Sequence, residues 1–563
     1  MSSEEISPLL GNNQANKAMQ LGASHSDEEI DESHYTNREG TVEAALLESF
    51  FDESHPMPVS AELKRIQENQ ARHIHLPWYQ KPSTFLICLL IMLIALAETL
   101  YMTPIIIITK DKVCESISNG QIKGEETICD PIKVQTILSE ISSMTIIISG
   151  VISTFMAGKM GELSDRFGRV HVFIYIGLIR LLGNAAHVYA LWPSTTYYKW
   201  FIILAGSLNS FSGGMYAIIA NANSYLSDIV EPENRSVSFG KVTSALFATM
   251  GVGFLLASNI VTLFHGNNFA PIYFAISCSS LFILLCLFFI KETRHEDSLR
   301  DSQEAFGRRM DKHFERLMAD IESAERPGLA GKIYLYGHYY TNQALHLLSP
   351  LKTLWIPRDS NGSLRGRHTV ILLLVIDIAY VCSTTACMPP LILLTTYKYN
   401  WQTVEIGYFV SFSGISKAVV LLLLSPYIVA WLKKIYTACT DKVDNIDMIC
   451  IRISMVAIVF GISAIIFKTE SESSVIGFAL FQAFSAFLSP TIQSTVIKYC
   501  PKDRTGQCFG GMALVRSLTM LVFPPLLLKI YGATVAGSPE VFLWIPMIAS
   551  IISVVLSLMI KTH

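Results

Sequence analysis

The sequence predicts an all-α membrane protein with twelve transmembrane helices, arranged as two pseudo-symmetric halves of six helices each. Three observations predict this class. The chain of 563 residues is 51% hydrophobic and only 16% charged, and its mean hydropathy is +0.40. Its apolar residues fall into twelve blocks of about 20 residues, the length at which a helix crosses a bilayer. Short motifs in the first half of the chain return in the second half.

The apolar blocks define the predicted spans and the segments between them. The blocks extend over about 84–108, 134–159, 170–190, 200–222, 238–264, 269–290, 368–394, 405–432, 448–467, 474–497, 507–530 and 540–561. Residues 1–80 are polar and acid-rich, and we expect a disordered cytoplasmic tail there. Residues 81–290 and 368–563 are the predicted six-helix halves. Residues 291–367 form a cytoplasmic middle loop that is charged and helix-prone to about Arg326.

An internal repeat supports the two halves. Met102-Thr-Pro104-Ile-Ile in block 1 corresponds to Met388-Pro-Pro390-Leu-Ile in block 7. Pro232-Glu-Asn-Arg235 after block 4 corresponds to Pro501-Lys-Asp-Arg504 after block 10. The order of these matches predicts a parallel duplication of a six-span unit.

Lysine and arginine predict the orientation in the membrane. They concentrate in the gaps after blocks 2, 4, 8 and 10 and in the middle loop, while the opposite gaps are poor in charge or balanced by acids. Because cytoplasmic loops carry the excess of lysine and arginine, these gaps and both termini are expected in the cytoplasm. The net charge of −3 and the lack of a basic patch argue against nucleic acid as a partner.

The gap between blocks 2 and 3 carries the most specific motif. It reads Gly161-Glu-Leu-Ser-Asp165-Arg166-Phe-Gly168-Arg169. This pattern resembles the signature loop of the major facilitator superfamily, whose members are secondary transporters. Together with the segment Tyr225–Gly240 and with Glu292-Thr-Arg294, it resembles the drug:proton antiporter (tetracycline-efflux-like) branch and its fungal relatives. Block 5 departs from that branch, because the glycines of its usual glycine-proline motif are present and the proline is absent.

The resemblance implies a role in gating for this loop. In the family the loop latches the two halves together in the outward-facing state. Carried over, the charged residues would set the balance between conformations, and the glycines would allow close helix approach. The implied gating residues are Gly161, Asp165, Arg166, Gly168, Arg169, Asp228 and Arg235. We expect Asp165 at the start of the third helix, stabilised by the dipole of that helix.

Charged residues within the blocks are the candidates for proton coupling or substrate binding, because an ionisable group in the bilayer is costly unless it pairs or faces water. Glu98, near the middle of block 1, is the first candidate; the alternative is a structural carboxylate bonded inside its half. Asp377 in block 7 is the second candidate. Either Lys417 or Arg516 is expected to neutralise it, and a static ion pair is the open alternative to a coupling role.

Polar residues complete the candidate set. Arg180 lies too deep in block 3 to reach water and therefore needs a partner. Asn221, Gln482 and Gln493 are expected to line the central cavity, with hydrogen bonding between helices as the alternative.

Two further patterns concern cysteines and sorting. Cys114 and Cys129 share the first non-cytoplasmic loop and form a possible disulfide, whereas Cys500 and Cys508 are expected to be inert. The tail carries an acidic dileucine pattern, with Glu5, Leu9 and Leu10 at its defining positions. This pattern resembles a sorting signal that adaptor complexes read. It favours a vacuolar, lysosome-like membrane over the plasma membrane.

The combined prediction is a monomeric secondary active transporter that moves a small organic solute by alternating access, driven by the proton gradient through antiport. A proton symporter or facilitator for a nutrient is the alternative, and a receptor or scaffold that kept the fold is the third. An enzyme is not expected, because the chain has no phosphate-binding loop or nucleophile motif. No cofactor or metal is expected. The predicted partners are the lipid bilayer, the solute, protons and a sorting adaptor.

Overall fold

Membrane-length helices form most of the described part of the chain in a computed structural model. The structure describes residues 59–118, 122–123, 126–127, 131–323, 349–357, 364–399, 401, 403–436, 442–468, 471–501, 504–534 and 537–560. All of them belong to one unit, Ser54–His563. The sorting pattern at Glu5, Leu9 and Leu10 lies outside the described residues.

Within the described residues, twelve helices are long and apolar enough to cross a membrane, and we number them as spans 1 to 12. They are Thr84–Ile117, Glu140–Phe167, Arg169–Ala190, Lys199–Ser227, Pro232–Leu263, Ala270–Phe288, Arg365–Tyr399, Glu405–Ile435, Asn445–Phe467, Glu472–Ile497, Thr505–Thr534 and Val541–Met559. The predicted fold class is therefore confirmed. A strand pair, Ile122–Lys123 with Glu126–Thr127, lies between spans 1 and 2.

Several helices extend beyond their spans or contain local irregularities. The helices of spans 1 and 2 extend over Thr84–Ser118 and Pro131–Phe167. Span 4 consists of Lys199–Ser207, a 3₁₀ turn at Leu208–Ser212 and Gly214–Ser227. Spans 7 and 8 contain π-helical turns at Cys382–Ala386 and Val420–Leu424, and span 10 divides into Glu472–Ser485 and Leu488–Ile497.

The packing of the spans follows the predicted duplication. Span 1 packs on spans 5 and 6, and span 3 packs on spans 4 and 6. The second half repeats this pattern, with span 7 on spans 11 and 12 and span 9 on spans 10 and 12. Between the halves, span 2 packs on span 11 and span 5 packs on span 8. Exchanging the halves, so that span 2 corresponds to span 8 and span 11 to span 5, turns one pair into the other, as expected for two halves related by a pseudo-twofold axis.

The tail contains more structure than the sequence predicts. A helix at Val59–Arg72, which we call the pre-span helix, lies inside the segment predicted to be disordered. The Asn69 amide donates to the backbone oxygens of Asp228 (3.3 Å) and Thr293 (2.9 Å). The prediction of disorder is therefore wrong for this helix. Hydrogen bonds hold it to the segments that directly follow spans 4 and 6.

The middle loop contains the predicted charged helix, at Glu296–Ser323, which we call the middle-loop helix. A short helix at Ser349–Thr353 precedes span 7 and packs on spans 2 and 11. We call the side of the bundle on which these helices lie the middle-loop side, and the opposite side the far side. Residues 324–348 of the predicted middle loop lie outside the described residues.

Candidate functional site

Asp165 joins the two halves on the middle-loop side. It is 1% exposed and accepts hydrogen bonds from the backbone N–H groups of Gly506 (2.9 Å) and Gln507 (2.6 Å), which begin span 11. Its Oδ1 also accepts from Arg169 (2.8 Å) and Arg294 (3.0 Å). A carboxylate at a helix N-terminus satisfies unpaired N–H groups and interacts favourably with the helix dipole. We call this set of contacts the latch.

The latch differs from the prediction in which helix Asp165 serves. Asp165 lies in the last turn of span 2 and binds the start of span 11, instead of the start of span 3. Glu292 occupies the start of span 3, where it accepts from the backbone N–H groups of Arg169 (3.0 Å) and Val170 (3.0 Å). Gly168 precedes that helix with φ of 100°, a conformation that favours glycine.

Close backbone contact holds the latch shut. A Cβ atom on Gly161 would lie 2.1 Å from the Gly506 carbonyl oxygen and 2.7 Å from the Gly510 Cα atom. The Arg169 Nη2 also donates to the Thr505 hydroxyl across the halves, at 2.7 Å. Spans 2 and 11 therefore touch through their backbones, and the bundle is closed on the middle-loop side.

Two of the other gating candidates, Asp228 and Arg235, are bonded around the turn that follows span 4. Asp228 accepts from the Arg169 Nε at 3.0 Å, and burial raises the pKa of the Asp228 carboxyl while the positive charge of Arg169 opposes the rise. The Arg235 Nη2 donates to the Ser227 carbonyl oxygen at 2.7 Å, which fixes the turn between spans 4 and 5.

Arg166 contacts the middle-loop helix instead of the opposite half. Its guanidinium carbon lies 3.7 Å from the centre of the Phe306 ring, a cation–π contact. The Gln303 amide donates to the Arg166 carbonyl oxygen at 3.0 Å. Arg166 therefore attaches the middle-loop helix to the latch, a role that the motif alone does not indicate.

The Asn221 amide is bonded to two residues beside Asp165 and does not line the cavity described below. Its Nδ2 donates to the Arg169 carbonyl oxygen at 3.0 Å, and its Oδ1 accepts from the Ser164 hydroxyl at 2.5 Å. In this structure Asn221 follows the alternative, hydrogen bonding between helices, because both ends of its amide are bonded within the packed interior.

The two glutamines also connect helices. Gln493 accepts from the Asn223 Nδ2 at 2.5 Å, which joins spans 10 and 4 across the halves. Gln482 donates to the Thr384 carbonyl oxygen of span 7 at 3.2 Å. Both are buried, at 3% and 1% exposure, and neither lines the cavity, so this prediction is corrected in favour of hydrogen bonding between helices.

A cavity of about 320 Å³ lies inside the first half, within the size range of small-ligand sites. It is lined by Ala95, Glu98, Thr99, Met102, Ser153, Arg180, Asn209, Ser210, Gly214, Met215, Met250 and Phe254. Five spans therefore contribute to it. Glu98 is the acidic residue of this lining, as the sequence predicts for a functional carboxylate.

Glu98 and Arg180 form an ion pair at this cavity. The Arg180 Nη1 lies 2.7 Å from the Glu98 Oε2. The Glu98 side chain is 42% exposed, whereas the Arg180 side chain is 7% exposed. The carboxylate is thus the accessible member of the pair, and the arginine binds it from the buried side.

The remaining cavity wall combines apolar and polar groups. Met102, Met215, Met250 and Phe254 supply thioethers and one aromatic ring. The Asn209 Nδ2 donates to the Asn184 Oδ1 at 2.5 Å. Within the described part of the chain, the buried Asn209 Oδ1 and Arg180 Nε have no hydrogen-bond partner. A bound solute or water is the partner that such groups require.

The second half contains a buried ion pair in place of an open site. Arg516 binds Asp377 through two bonds, from Nε at 2.7 Å and from Nη2 at 2.6 Å. Asp377 is 0% exposed and Arg516 is 6% exposed. Lys417 does not neutralise Asp377, and instead its Nζ lies 5.2 Å from the centre of the Phe247 ring. Of the two predicted partners, Arg516 is the one that the structure pairs with Asp377.

The cysteines differ from expectation at one site. Cys500 and Cys508, expected to be inert, form a disulfide that joins the end of span 10 to the start of span 11. Cys114 is disulfide-bonded, and Cys129 lies outside the described residues, so their pairing stays a prediction.

The comparison with protein families decides the identity. A family model described as Major Facilitator Superfamily matches residues 87–524, most of the chain. The chain belongs to the major facilitator superfamily. This major facilitator protein is therefore an integral, multi-pass membrane protein of a family of transporters, and not an enzyme. The resemblance that the signature loop indicated is confirmed.

Individual relatives agree with this assignment. An uncharacterized membrane protein of Saccharomyces cerevisiae is 45% identical over 481 residues, which cover 85% of each chain. The class H tetracycline resistance protein of Pasteurella multocida is 28% identical over 141 residues, covering 25% of this chain and 32% of that protein. The crystal structure of the human organic anion transporter MFSD10 (TETRAN) has a TM-score of 0.59 at 14% identity. The match covers 85% of this chain and 100% of the human transporter's chain. At that identity, the human transporter shows the shared fold alone.

Proposed function

We propose that this major facilitator transporter exchanges protons for a small organic cation by alternating access, and that Glu98 binds the two in turn. The observation that carries the proposal is the asymmetry of the Glu98–Arg180 pair. Its carboxylate is 42% exposed to a cavity while its arginine is 7% exposed. An incoming solute therefore meets a negative group.

The cavity wall supports a cation as the solute. Arg180 contacts one oxygen of Glu98, the Oε2, and the exposure of the side chain leaves room for a second contact. Thioethers are polarizable, and the face of an aromatic ring attracts a cation. Met102, Met250 and Phe254 thus suit an apolar, positively charged molecule. An organic anion, the substrate class named for the human structural neighbour, would have to displace Glu98 from the buried Arg180.

Competition at one carboxylate links the two fluxes. When Glu98 is protonated it loses its attraction for the cation, and when it is ionised it recovers that attraction. Antiport results if only the protonated or the cation-loaded transporter changes access. We propose that the latch closes the cytoplasmic side, because the basic loops lie on the middle-loop side. Both termini would then be cytoplasmic, and the cavity would exchange solute with the far side in this conformation.

The sorting pattern supports a location for this activity. We propose that Glu5, Leu9 and Leu10 direct the protein, through an adaptor, to a vacuolar, lysosome-like membrane. The lumen of such an organelle is acidic. The far side would then face a proton supply, and exchange would move the cation from the cytoplasm into the lumen.

Flux measurements in proteoliposomes test the proposal. We would impose a pH gradient, enclose a pH-sensitive dye, and add 1-methyl-4-phenylpyridinium or ethidium as probes. Wild type is expected to move protons when the cation is added, in the direction opposite to the cation. Glu98→Gln is expected to lose this response by at least about 100-fold, since a neutral amide neither releases a proton nor attracts a cation.

A matched variant controls for loss of charge alone. Glu472 begins span 10, is exposed and lies outside the cavity, so Glu472→Gln is expected to retain wild-type exchange. Proton movement in the same direction as the solute would establish the symport alternative. Cation transport without proton movement, equal in wild type and Glu98→Gln, would leave a facilitator and contradict the proposal.

A further inference from the structure

A hydrogen-bonded pair of titratable side chains lies between the cavity and the far side. The Tyr101 hydroxyl of span 1 and the His187 Nδ1 of span 3 are 2.5 Å apart. Tyr101 is 7% exposed, so its hydroxyl is held in the protein interior. The cavity lining does not include either residue.

The pair occupies the same two helices as the Glu98–Arg180 ion pair, but nearer the far side. Span 1 runs from the middle-loop side to the far side, and Tyr101 follows Glu98 by one helical turn. Residues three apart share a helix face, with Cβ atoms about 5–6 Å apart. On span 3, which runs in the same direction, His187 follows Arg180 by about two turns. The two pairs therefore link spans 1 and 3 through their side chains at successive depths.

A third pair continues this line toward the far side. His187 packs against span 4 at Gly206, where an added Cβ would lie 3.1 Å from the ring Cε1. The same Cβ would lie 3.3 Å from Thr145 of span 2. On these two spans, nearer their far-side ends, Glu140 and Lys199 form an ion pair that is 50% and 29% exposed. The titratable groups around His187 are thus Tyr101 and Glu98–Arg180 on the inner side and Glu140–Lys199 on the outer side.

We propose that Tyr101 and His187 form a relay that carries protons between the far side and Glu98, along a route separate from the solute cavity. This inference rests on the proposed function, because it assumes that Glu98 takes up a proton. Neither residue needs to touch the solute. Both would act by supplying a proton to the carboxylate that binds it.

The transfer is balanced in protons. With Nδ1–H donating to the phenol oxygen, the His187 Nε2 accepts a proton from the far side. The Nδ1 proton passes to the Tyr101 oxygen while the original Tyr101 proton moves to the Glu98 carboxylate, directly or through one water. One proton enters and one is delivered. The relay resets when the phenol hydroxyl rotates back toward Glu98 and the imidazole returns to its Nδ1–H tautomer, losing the Nε2 proton to water and gaining one at Nδ1.

A separate route explains how the cation is displaced. A bound cation covers the exposed face of Glu98 and blocks water in the cavity from reaching it. A proton that arrives from the side of Tyr101 reaches the carboxylate while the cation is still bound. Protonation then releases the cation toward the far side, which is the order that exchange requires.

Two variants test the relay in proteoliposomes with 1-methyl-4-phenylpyridinium as the probe. Tyr101→Phe removes the hydroxyl alone, and His187→Ala removes the imidazole. Proton-coupled exchange is expected to fall by about 100-fold in both, the usual contribution of a positioned proton-transfer group. Exchange of labelled for unlabelled cation at equal pH needs no proton transfer, and it is expected to stay within about twofold of wild type.

Matched controls and chemical rescue separate a relay from a structural role. Tyr189→Phe and His171→Ala make the same changes at exposed positions of span 3 and are expected to behave as wild type. Imidazole supplied at the far side is expected to restore coupled exchange to His187→Ala. A purely structural histidine would show no such rescue.

Each contrary result has a distinct meaning. If coupled exchange and cation self-exchange fall together without rescue, the hydrogen bond between Tyr101 and His187 only has a structural role, and the relay is wrong. If both variants couple as wild type does, protons reach Glu98 through the cavity, and the relay is also wrong. If wild type itself moves no protons when the cation is added, the proposed function fails and the relay fails with it.

Discussion

Gly161→Leu is expected to prevent closure of the latch and to abolish transport. The added Cβ would meet the Gly506 carbonyl oxygen at 2.1 Å and the Gly510 Cα atom at 2.7 Å. Both are backbone atoms, so no side chain can move aside, and spans 2 and 11 must separate. Overpacking of this kind costs about 3 kcal/mol, which shifts the ratio of latched to open molecules by about 100-fold.

A distance between spin labels on the two halves measures this shift. Glu231→Cys lies in the loop after span 4, and Lys434→Cys lies at the end of span 8; both positions are exposed on the middle-loop side. The distance is expected to lengthen in Gly161→Leu. Gly477→Leu is the control, because a Cβ on Gly477 meets nothing within 4 Å. An unchanged distance with transport at the control rate would show that this helix contact is not required for closure.

Asp377→Asn is expected to destabilise the protein strongly. The substitution leaves the Arg516 guanidinium buried at 6% exposure without its carboxylate, inside the second half. Removing one partner of a buried ion pair costs about 3–5 kcal/mol, because the other charge is left uncompensated. The expected measurement is a lower thermal unfolding temperature of the detergent-solubilised protein.

The double variant distinguishes a structural pair from a coupling site. Asp377→Asn combined with Arg516→Gln removes both charges and is expected to recover much of the lost stability and to retain proton-coupled exchange. A double variant that is stable but no longer couples protons to the cation would assign the second half a direct role in coupling. That outcome would contradict the assignment of the proton to Glu98 alone.

Much of the fold was predictable from the sequence because the bilayer imposes it. A helix that crosses the membrane needs a long apolar block, so all twelve spans were visible in the hydropathy. The pre-span helix was not predicted, because its buried positions include polar residues such as Asn69. Its Asn69 side chain is held by hydrogen bonds to the backbone just after spans 4 and 6, and a single sequence has no signal for these bonds.

The part of the candidate site that carries an ionisable side chain inside the membrane was predictable from the sequence. Glu98 was identified because a carboxylate in an apolar block is costly unless it pairs or faces water. It does line a cavity. The facing of Asn221, Gln482 and Gln493 was not predictable, because uncharged amides serve equally as cavity lining and as links between helices. The bond from Asp165 to Gly506 joins positions 341 residues apart, and a single sequence has no signal for it.

The measurement that tests the central claim most directly is the pH dependence of cation binding at equilibrium. We would titrate purified protein with ethidium, following its fluorescence, at a series of pH values. If protons and the cation compete for Glu98, the apparent Kd should rise as the pH falls, approaching about tenfold for each pH unit at the acidic end. It should level off at the alkaline end, and Glu98→Gln should bind weakly at every pH. Tight binding that does not vary with pH, and that survives Glu98→Gln, would contradict a shared site.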